Sequence, residues 1–251
     1  MFLHAEREGS GPPIVLVHGF TQTGRCWGPE ASDLATDHEV IRVDAPGHGR
    51  SADVLAGLRT GGRLIADQGG RATYLGYSMG ARFCLHIALS NPELVSGLVL
   101  VGGTAGIEDP AERAARRQQD LSTAARIRAE GLEGFLDGWL RQPLFADLSP
   151  AQSFRTERLA NTVDGLVSSL EQAGTGAQDP SWDKLARLEM PVLVVVGARD
   201  AKFTALGRRM VAAIGANATF APVPDAGHAA HLEQPDAFLA VLRPWLAAHH
   251  L

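Results

Sequence analysis

The segment Gly76-Tyr77-Ser78-Met79-Gly80 constrains this chain more than any other part of it. A run typical of a β-strand precedes the serine, and an apolar-periodic run typical of a helix follows it. A serine on such a sharp strand-to-helix turn has a strained backbone and an exposed hydroxyl, and small residues on both sides let neighbouring elements approach. The start of the helix favours negative charge nearby. The segment therefore predicts a nucleophilic serine at the end of a sheet strand.

Short apolar and β-branched runs recur along the chain and predict the strands of a central sheet. Most of them are continuously apolar rather than alternating, as expected of parallel strands covered on both faces. Helical patterns separate them, such as those of residues 81–90 and 236–248. The strand-like runs are residues 14–17, 40–43, 73–77, 98–101, 192–196 and 219–223. This alternation predicts an α/β fold with a mostly parallel sheet flanked by helices.

The strand pattern disappears between residues 104 and 187. Helical spacing replaces it in residues 110–129, 134–142 and 150–173, with turn signals such as Gly131 between them. A chain of 251 residues lies at the upper end of what one hydrophobic core organises, so we expect one domain with an insertion. The predicted core consists of residues 1–103 and 188–251. Residues 104–187 form the predicted helical insertion, called the cap below.

A serine hydroxyl becomes reactive only when a partner takes its proton, so the motif requires a histidine and a carboxylate that orients it. On such a sheet the acid follows a late strand and the histidine precedes the last helix. Asp200 and His228 follow the last two predicted strands. His231 lies further toward the last helix, and Asp225 lies too close in sequence to reach the far nitrogen of the histidine. We therefore predict a catalytic triad of Ser78, Asp200 and His228.

A second set of backbone groups is expected near the serine. The segment His18-Gly19-Phe20 follows the first predicted strand. The backbone N–H groups of Phe20 and Met79 are expected to converge on a developing oxyanion and form an oxyanion hole. Residues 44–51 follow the next strand and are rich in glycine and proline, so we interpret them as a structural turn.

Charge and cysteine content exclude several classes of protein. With 23 basic and 28 acidic residues the formal charge is −5, which argues against a general nucleic-acid or membrane-binding surface. The two cysteines, Cys26 and Cys84, lack metal-ligand or disulfide-framework spacing. No signal peptide or membrane-spanning run is evident, which predicts a cytoplasmic protein. No motif indicates a metal, nucleotide or flavin, so no cofactor is predicted.

The chain resembles the α/β-hydrolase superfamily over essentially its whole length, through the blocks HGF, DAPGHGRS, GYSMG, GARD and AGHAAHLEQP. Within it, the chain is most similar to the menaquinone-pathway synthases of 2-succinyl-6-hydroxy-2,4-cyclohexadiene-1-carboxylate. That similarity lies in Arg82 of GYSMGAR and in the cap segments GFLDGWLRQPLF, ERLAN and GTGAQ. Two departures leave room for a changed substrate: Ala81 stands where the family commonly has a second glycine, and residues 51–67 are unusually rich in glycine.

The resemblance implies a lyase rather than a hydrolase. The triad-activated serine would abstract a proton from 2-succinyl-5-enolpyruvyl-6-hydroxy-3-cyclohexene-1-carboxylate, and pyruvate would then be eliminated without an acyl-enzyme. Because this small substrate carries several carboxylates, arginines are implied in its pocket. The residues implied to contact it are Tyr77, Arg82, Arg116 or its neighbour Arg117, Trp139 and Arg158.

Other interpretations of the same residues stay open. Lys184 and Lys202 are the two lysines, so 21 of the 23 basic residues are arginine, and any single cap arginine is also explained as a surface cation. A serine carboxylesterase or a C–C bond hydrolase would use the same triad for acyl transfer. A ligand-sensing protein without turnover is a third possibility, although it has no need of a complete triad.

Overall fold

The computed structural model describes residues 2–251 and has a seven-stranded sheet at its centre. The strands are β1 (Ala5–Gly9), β2 (Pro13–Val17), β3 (Glu39–Val43), β4 (Ala72–Tyr77), β5 (Val95–Val101), β6 (Val192–Gly197) and β7 (Ala218–Val223). They lie in the order β1-β3-β2-β4-β5-β6-β7, and each neighbouring pair except β1 and β3 is parallel. The predicted α/β fold with a mostly parallel sheet is confirmed.

Helices cover both faces of the sheet. They are α1 (Gly28–Leu34), α2 (Leu58–Gly69), α3 (Met79–Ser90), α4 (Pro110–Leu140), α5 (Arg155–Arg158), α6 (Val163–Ala173), α7 (Ala201–Ile214), α8 (Ala230–Glu233) and α9 (Pro235–Ala248). In β2, Val15 and Val17 belong to one apolar cluster together with Phe83 of α3, whereas Ile14 and Leu16 belong to another. Successive side chains of a strand point to opposite faces, so both faces of the sheet are buried. This explains why the strands are continuously apolar.

The first strand was not predicted. β1 consists of Ala5–Gly9 and contains three charged residues, so it lacks the apolar signal of the other strands. It pairs antiparallel with β3 at the edge of the sheet, and Arg7 forms an ion pair of 2.7 Å with Glu39. Charged side chains on an edge strand oppose pairing with other chains, which accounts for a polar strand at this position.

Helix α2 was also missed, because its glycines obscure the helical pattern. A Cβ atom on Gly61 would lie 2.7 Å from Cε1 of Phe83 and 2.9 Å from Cγ of Pro46. The absence of a side chain at Gly61 therefore lets α2 approach α3 closely. Tertiary packing here outweighs the low helix propensity of glycine.

The chain between β5 and β6 is helical, and its first long helix is broken where the sequence indicated. α4 begins after Asp109, whose side chain accepts hydrogen bonds from the N–H groups of Ala111 and Glu112. Gly131 interrupts it with φ 69° and ψ 174°. The prediction of one helix over residues 150–173 was wrong. Only α5 and α6 form there, because Thr162 caps α6 by accepting a hydrogen bond from Gly165 N–H.

The helices of the cap enclose a small apolar cluster of their own. Its buried members are Ala124, Ile127, Phe135, Leu166, Val167 and Leu170. Within residues 2–251, no helix combines the length and the apolar character needed to cross a membrane.

Candidate active site

Ser78 lies on a strained turn between β4 and α3. Its backbone has φ 52° and ψ −104°, a conformation that costs a non-glycine residue energy. The surrounding chain leaves no room for side chains: a Cβ on Gly80 would lie 1.9 Å from the carbonyl oxygen of Val17, and one on Gly76 would lie 2.4 Å from the carbonyl carbon of Gly80. Ser78 N–H donates to the carbonyl of Val101 at 2.8 Å. Backbone packing thus fixes the serine in place.

The structure brings Ser78, His228 and Asp200 together. His228 Nδ1 lies 2.9 Å from Asp200 Oδ2, and His228 Nε2 lies 3.2 Å from Ser78 Oγ. An ionised carboxylate only accepts hydrogen bonds, so Nδ1 carries the proton and Nε2 is free to accept from the serine hydroxyl. This is the arrangement in which a histidine removes the proton of a serine.

Asp200 is held by two elements at once. It caps the start of α7, where its Oδ1 accepts a hydrogen bond of 3.1 Å from Phe203 N–H. Burial alone would raise the pKa of this carboxyl, but the hydrogen bonds from His228 and Phe203 lower it below its ordinary value. Asp200 is therefore charged at neutral pH and orients His228.

The alternatives to these two residues lie elsewhere. His231 is buried between aromatic rings, with its ring centroid 4.5 Å from that of Tyr77 and 4.6 Å from that of Trp27. Burial lowers the pKa of His231 to about 3, so the ring is neutral. Asp225 is exposed and forms an ion pair of 3.0 Å with Arg199. Neither group is placed to act on Ser78.

Two backbone donors next to Ser78 have no protein acceptor. Within residues 2–251, neither Phe20 N–H nor Met79 N–H makes a hydrogen bond to the protein. In the oxyanion loop, defined here as residues 18–21, the preceding Gly19 N–H is satisfied by Gln22 Oε1 at 2.8 Å. The two N–H groups that the sequence assigned to an oxyanion hole are thus free of a protein acceptor in the described residues.

The cap holds the oxyanion loop through two buried side chains. The side-chain amide of Asn161 donates to the carbonyl of Thr21 at 2.7 Å, and its oxygen accepts from Gly49 N–H at 2.9 Å. Arg158 donates to the hydroxyl of Thr21 and to the carbonyl of Phe20. We call Asn161 and Arg158 the clamp. Sequence reasoning did not single out Asn161, because a buried asparagine leaves no periodic signal.

A cavity of about 450 Å³ opens over Ser78 and His228, between the core and the cap. Three cationic side chains line it: Arg116 from α4, Arg158 from α5 and Lys202 from α7. Lys202 was missed by the sequence analysis, although it follows the predicted acid by two residues and is one of the two lysines. Two carboxylates, those of Asp120 and Asp200, also line the cavity, so three positive and two negative charges leave a net +1 that suits an anionic ligand.

Arg158 differs from the other cations of the cavity because it is buried without a counter-ion. Its exposed fraction is 1%, and its Nε donates to the carbonyl of Ser153 at 2.7 Å. In the described part of the chain no carboxylate pairs with it, whereas Arg116 forms an ion pair of 2.8 Å with Asp120. Burial lowers the pKa of Arg158, but a guanidinium stays charged. A buried cation without a partner is costly, so the cavity favours an anion beside Arg158.

Arg82 does not lie where the resemblance put it. It is four residues after Ser78 and so one turn further along α3, where the end of α6 covers it. Its guanidinium donates to the carbonyl of Ala173 at 2.7 Å and lines a different cavity, one without Ser78. Of the pair left open in α4, Arg116 lines the Ser78 cavity, and Arg117 donates instead to the carbonyl of Glu171.

Tyr77 and Trp139 both line the Ser78 cavity. The ring centroid of Tyr77 lies 5.4 Å from that of His228, and burial raises the pKa of the Tyr77 hydroxyl. Trp139 packs edge-on against Phe20 at 5.3 Å, and its Nε1 has no hydrogen-bond partner in the described residues. The two rings supply an aromatic part of the cavity wall.

A family model described as "Alpha/beta hydrolase family" matches residues 14–241. The chain belongs to the α/β-hydrolase family. It is 34% identical over 247 residues to a 2-succinyl-6-hydroxy-2,4-cyclohexadiene-1-carboxylate synthase of Yersinia pestis bv. Antiqua, a match that covers 95% of this chain and 88% of the relative. This α/β hydrolase is therefore also a member of the synthase family, as the motifs indicated.

Solved structures agree with this placement. The structure of MenH from S. aureus superposes with a TM-score of 0.90 and 26% identity, covering 99% of both chains. A thermophilic esterase from Thermogutta terrifontis, described as malate bound, superposes with a TM-score of 0.78 and 26% identity, covering 99% of this α/β hydrolase and 94% of the esterase. The fold is thus shared by proteins named for different reactions.

Proposed function

We propose that this α/β hydrolase is the menaquinone-pathway lyase that eliminates pyruvate from 2-succinyl-5-enolpyruvyl-6-hydroxy-3-cyclohexene-1-carboxylate. The observation that carries the proposal is the buried guanidinium of Arg158, which has no counter-ion and faces the Ser78 cavity. A substrate with several carboxylates supplies the missing anion. The relatives named as synthases of the corresponding product support the same reaction.

The reaction begins with proton transfer at Ser78. His228 Nε2, 3.2 Å from Ser78 Oγ, takes the hydroxyl proton as the serine oxygen takes the proton from C2 of the substrate, next to the succinyl ketone. The electron pair of the broken C2–H bond forms a C2=C3 double bond, and the former C3=C4 pair moves to C4=C5. The C5–O bond breaks, and enolpyruvate leaves. It takes up a proton and becomes pyruvate.

In this reaction the proposed oxyanion hole would stabilise the oxygen of the succinyl ketone. As the C2 proton leaves, negative charge develops on the oxygen of the succinyl ketone. The unpaired N–H groups of Phe20 and Met79 would donate to that oxygen. Donors fixed in advance need no reorganisation during the reaction, so they lower the barrier more than water would.

The proposal is tested by measuring pyruvate release from the enolpyruvyl substrate by purified wild-type protein and by Ser78→Ala. Wild-type protein should release pyruvate, and Ser78→Ala should lower kcat by about 10³-fold or more, because the proton acceptor is gone. Pyruvate release that survives in Ser78→Ala would show that another group takes the proton. No release by the wild-type protein would reject the assignment.

Arg158→Met tests the anion site through KM, whereas the loss of the clamp contacts of Arg158 with Phe20 and Thr21 should appear in kcat. The variant keeps most of the side-chain volume but removes the charge, and we expect a rise in KM of about tenfold or more because a charge-assisted contact is lost. Arg155→Met is the matched control: it lies in the same short helix but pairs with Asp137 outside the cavity. It should leave KM unchanged. Equal effects of the two substitutions would mean that the cap, not the anion site, was damaged.

A carboxylesterase is the second candidate, favoured by the likeness to the Thermogutta terrifontis esterase. In that case Ser78 would attack an ester carbonyl, and the same N–H groups would stabilise the tetrahedral oxyanion. Hydrolysis of p-nitrophenyl butyrate distinguishes the two. Rapid hydrolysis that depends on Ser78, without pyruvate release, would favour the esterase.

A further inference from the structure

Arg82 lines a second cavity, which does not include Ser78. It has a volume of about 500 Å³ and lies between α2, α3 and the last part of the cap. A neighbouring hollow of about 360 Å³ shares part of its wall, including His86. We call the two together the basic groove, because five cations line it. They are Arg59, Arg63, Arg82, Lys184 and Arg187.

The charges of the basic groove are not balanced by the protein. Asp179 is the one carboxylate in its wall, and within residues 2–251 none of the five cations forms an ion pair. Burial lowers the pKa of His86, and the nearby charges of Arg59 and Lys184 lower it further. Such a concentration of positive charge stands out in a chain whose net charge is −5.

In the basic groove, the side chain of Arg82 is held in position by the protein before any ligand binds. It is 7% exposed, and one of its terminal nitrogens donates to the carbonyl of Ala173 at 2.7 Å and lies 3.5 Å from Gln178 Oε1. In the described residues its other two nitrogens donate to no protein acceptor. A buried guanidinium held from one side and open on the other is preorganised to bind an acidic group.

The rest of the wall indicates what kind of anion fits. Leu58 and Leu89, both half-buried, and the buried Leu85 form an apolar strip beside the cations. A cavity of this size holds a small organic molecule. An apolar strip next to guanidinium groups suits a carbon framework that carries two or three carboxylates.

We propose that the basic groove is a second ligand site, which binds a small di- or tricarboxylate with an apolar body. Arg82, Arg59 and Arg187 bind the carboxylates, and Leu58 and Leu89 contact the carbon framework. Arg59 belongs to α2 in the core, whereas Arg187 belongs to the cap, so the bound ligand bridges the two. The site does not depend on the reaction at Ser78.

The test is calorimetric titration with benzene-1,3,5-tricarboxylate as the probe. The wild-type protein is compared with Arg59→Ser/Arg187→Ser and with the control Arg71→Ser/Arg141→Ser. All four arginines are exposed and form no ion pair in the described structure, so the two variants lose the same charge. The control positions line neither the groove nor the Ser78 cavity.

If the probe binds in the basic groove, Arg59→Ser/Arg187→Ser should raise the Kd of one binding event about tenfold or more. The control variant should change that Kd less than about twofold. Equal weakening by both variants would show that only net charge matters and would overturn the proposal. So would unchanged binding in the groove variant, since the probe would then occupy the Ser78 cavity alone. Pyrophosphate supplies charge without an apolar body, and it should bind more weakly than the tricarboxylate. Equal binding of pyrophosphate would overturn the assignment to carboxylates.

Discussion

The two backbone donors that we assign to an oxyanion hole are held in different ways. Met79 N–H begins α3 directly after Ser78, so the backbone contact of Gly80 with Val17 fixes it together with the nucleophile. Phe20 N–H belongs to the oxyanion loop, which the clamp of Asn161 and Arg158 holds from the cap. The backbone of Met79 is therefore fixed by the core, with one side-chain contact to Ser169 of the cap, whereas Phe20 depends on hydrogen bonds from the cap. Damage to the cap should weaken one donor and leave the triad intact.

The largest expected effect comes from the core side of this comparison. In Asp200→Asn the amide can still accept from Phe203 N–H, but its NH₂ group would meet His228 Nδ1 and stabilise the wrong tautomer. We expect kcat to fall by roughly 10³ to 10⁴, or about 4 to 5 kcal/mol of barrier, with KM little changed. Steady-state pyruvate release measures this. A loss below tenfold would show that Asp200 does not orient the histidine.

Asp200→Asn should also change how the free energy of unfolding depends on pH. The pKa of Asp200 is lowered in the folded protein, so the charged carboxylate stabilises the fold above its unfolded pKa. That contribution is lost as the pH falls through the folded value. In urea titrations the stability difference between wild type and Asp200→Asn should therefore narrow below the ordinary pKa of 3.8. A constant difference would contradict this.

The meeting of Ser78, Asp200 and His228 could be predicted from the sequence because each of the three follows a strand. β4 and β6, which precede Ser78 and Asp200, are buried along their whole length and leave continuous apolar runs. β7, which precedes His228, is a partly exposed edge strand, but its sequence still shows a strand-like run. The turn around Ser78 also has its own local pattern, since glycine is required at Gly76 and Gly80. Position along the chain was therefore enough to predict that these three side chains meet.

Side-chain direction could not be predicted in the same way. The resemblance assigned Arg82 to the substrate, yet its guanidinium lies one helical turn beyond Ser78 and under the end of α6. Asn161 and Lys202 carry no periodic signal, and their partners are distant in sequence. Tertiary contacts of this kind, between the cap and the core, decide which polar residues face the cavity.

An intermediate effect is expected from the cap side of the comparison. Asn161→Ala removes the bond to the Thr21 carbonyl, so Phe20 N–H should lose its fixed position, and kcat should fall about tenfold to thirtyfold. Asn217→Ala is the control, because Asn217 also donates its side-chain amide to two carbonyls, those of Leu188 and Met190, but lies away from the site. It should lower stability without lowering kcat.

Asn161 is a positioning residue, so the pH dependence of its variant is informative. The triad is untouched in Asn161→Ala, and the shape of the pH profile of kcat should match that of the wild type. A shifted profile would mean that the substitution had reached His228. An equal loss of kcat in Asn217→Ala would mean that general loosening, rather than the oxyanion loop, accounts for the effect.

The smallest expected effects come from two residues that cap helices of the cap, and they distinguish the stability of the cap from the action of the clamp. Asp109→Ala and Thr162→Ala each remove a side chain that caps a helix of the cap, and each should lower the free energy of unfolding by about 1 kcal/mol. Asp109 begins α4, far along the chain from the clamp, whereas Thr162 directly follows Asn161. Only Thr162→Ala should therefore also lower kcat, by about twofold to threefold. If both variants lowered kcat equally, the oxyanion loop would depend on the cap as a whole, and the clamp would lose its separate role.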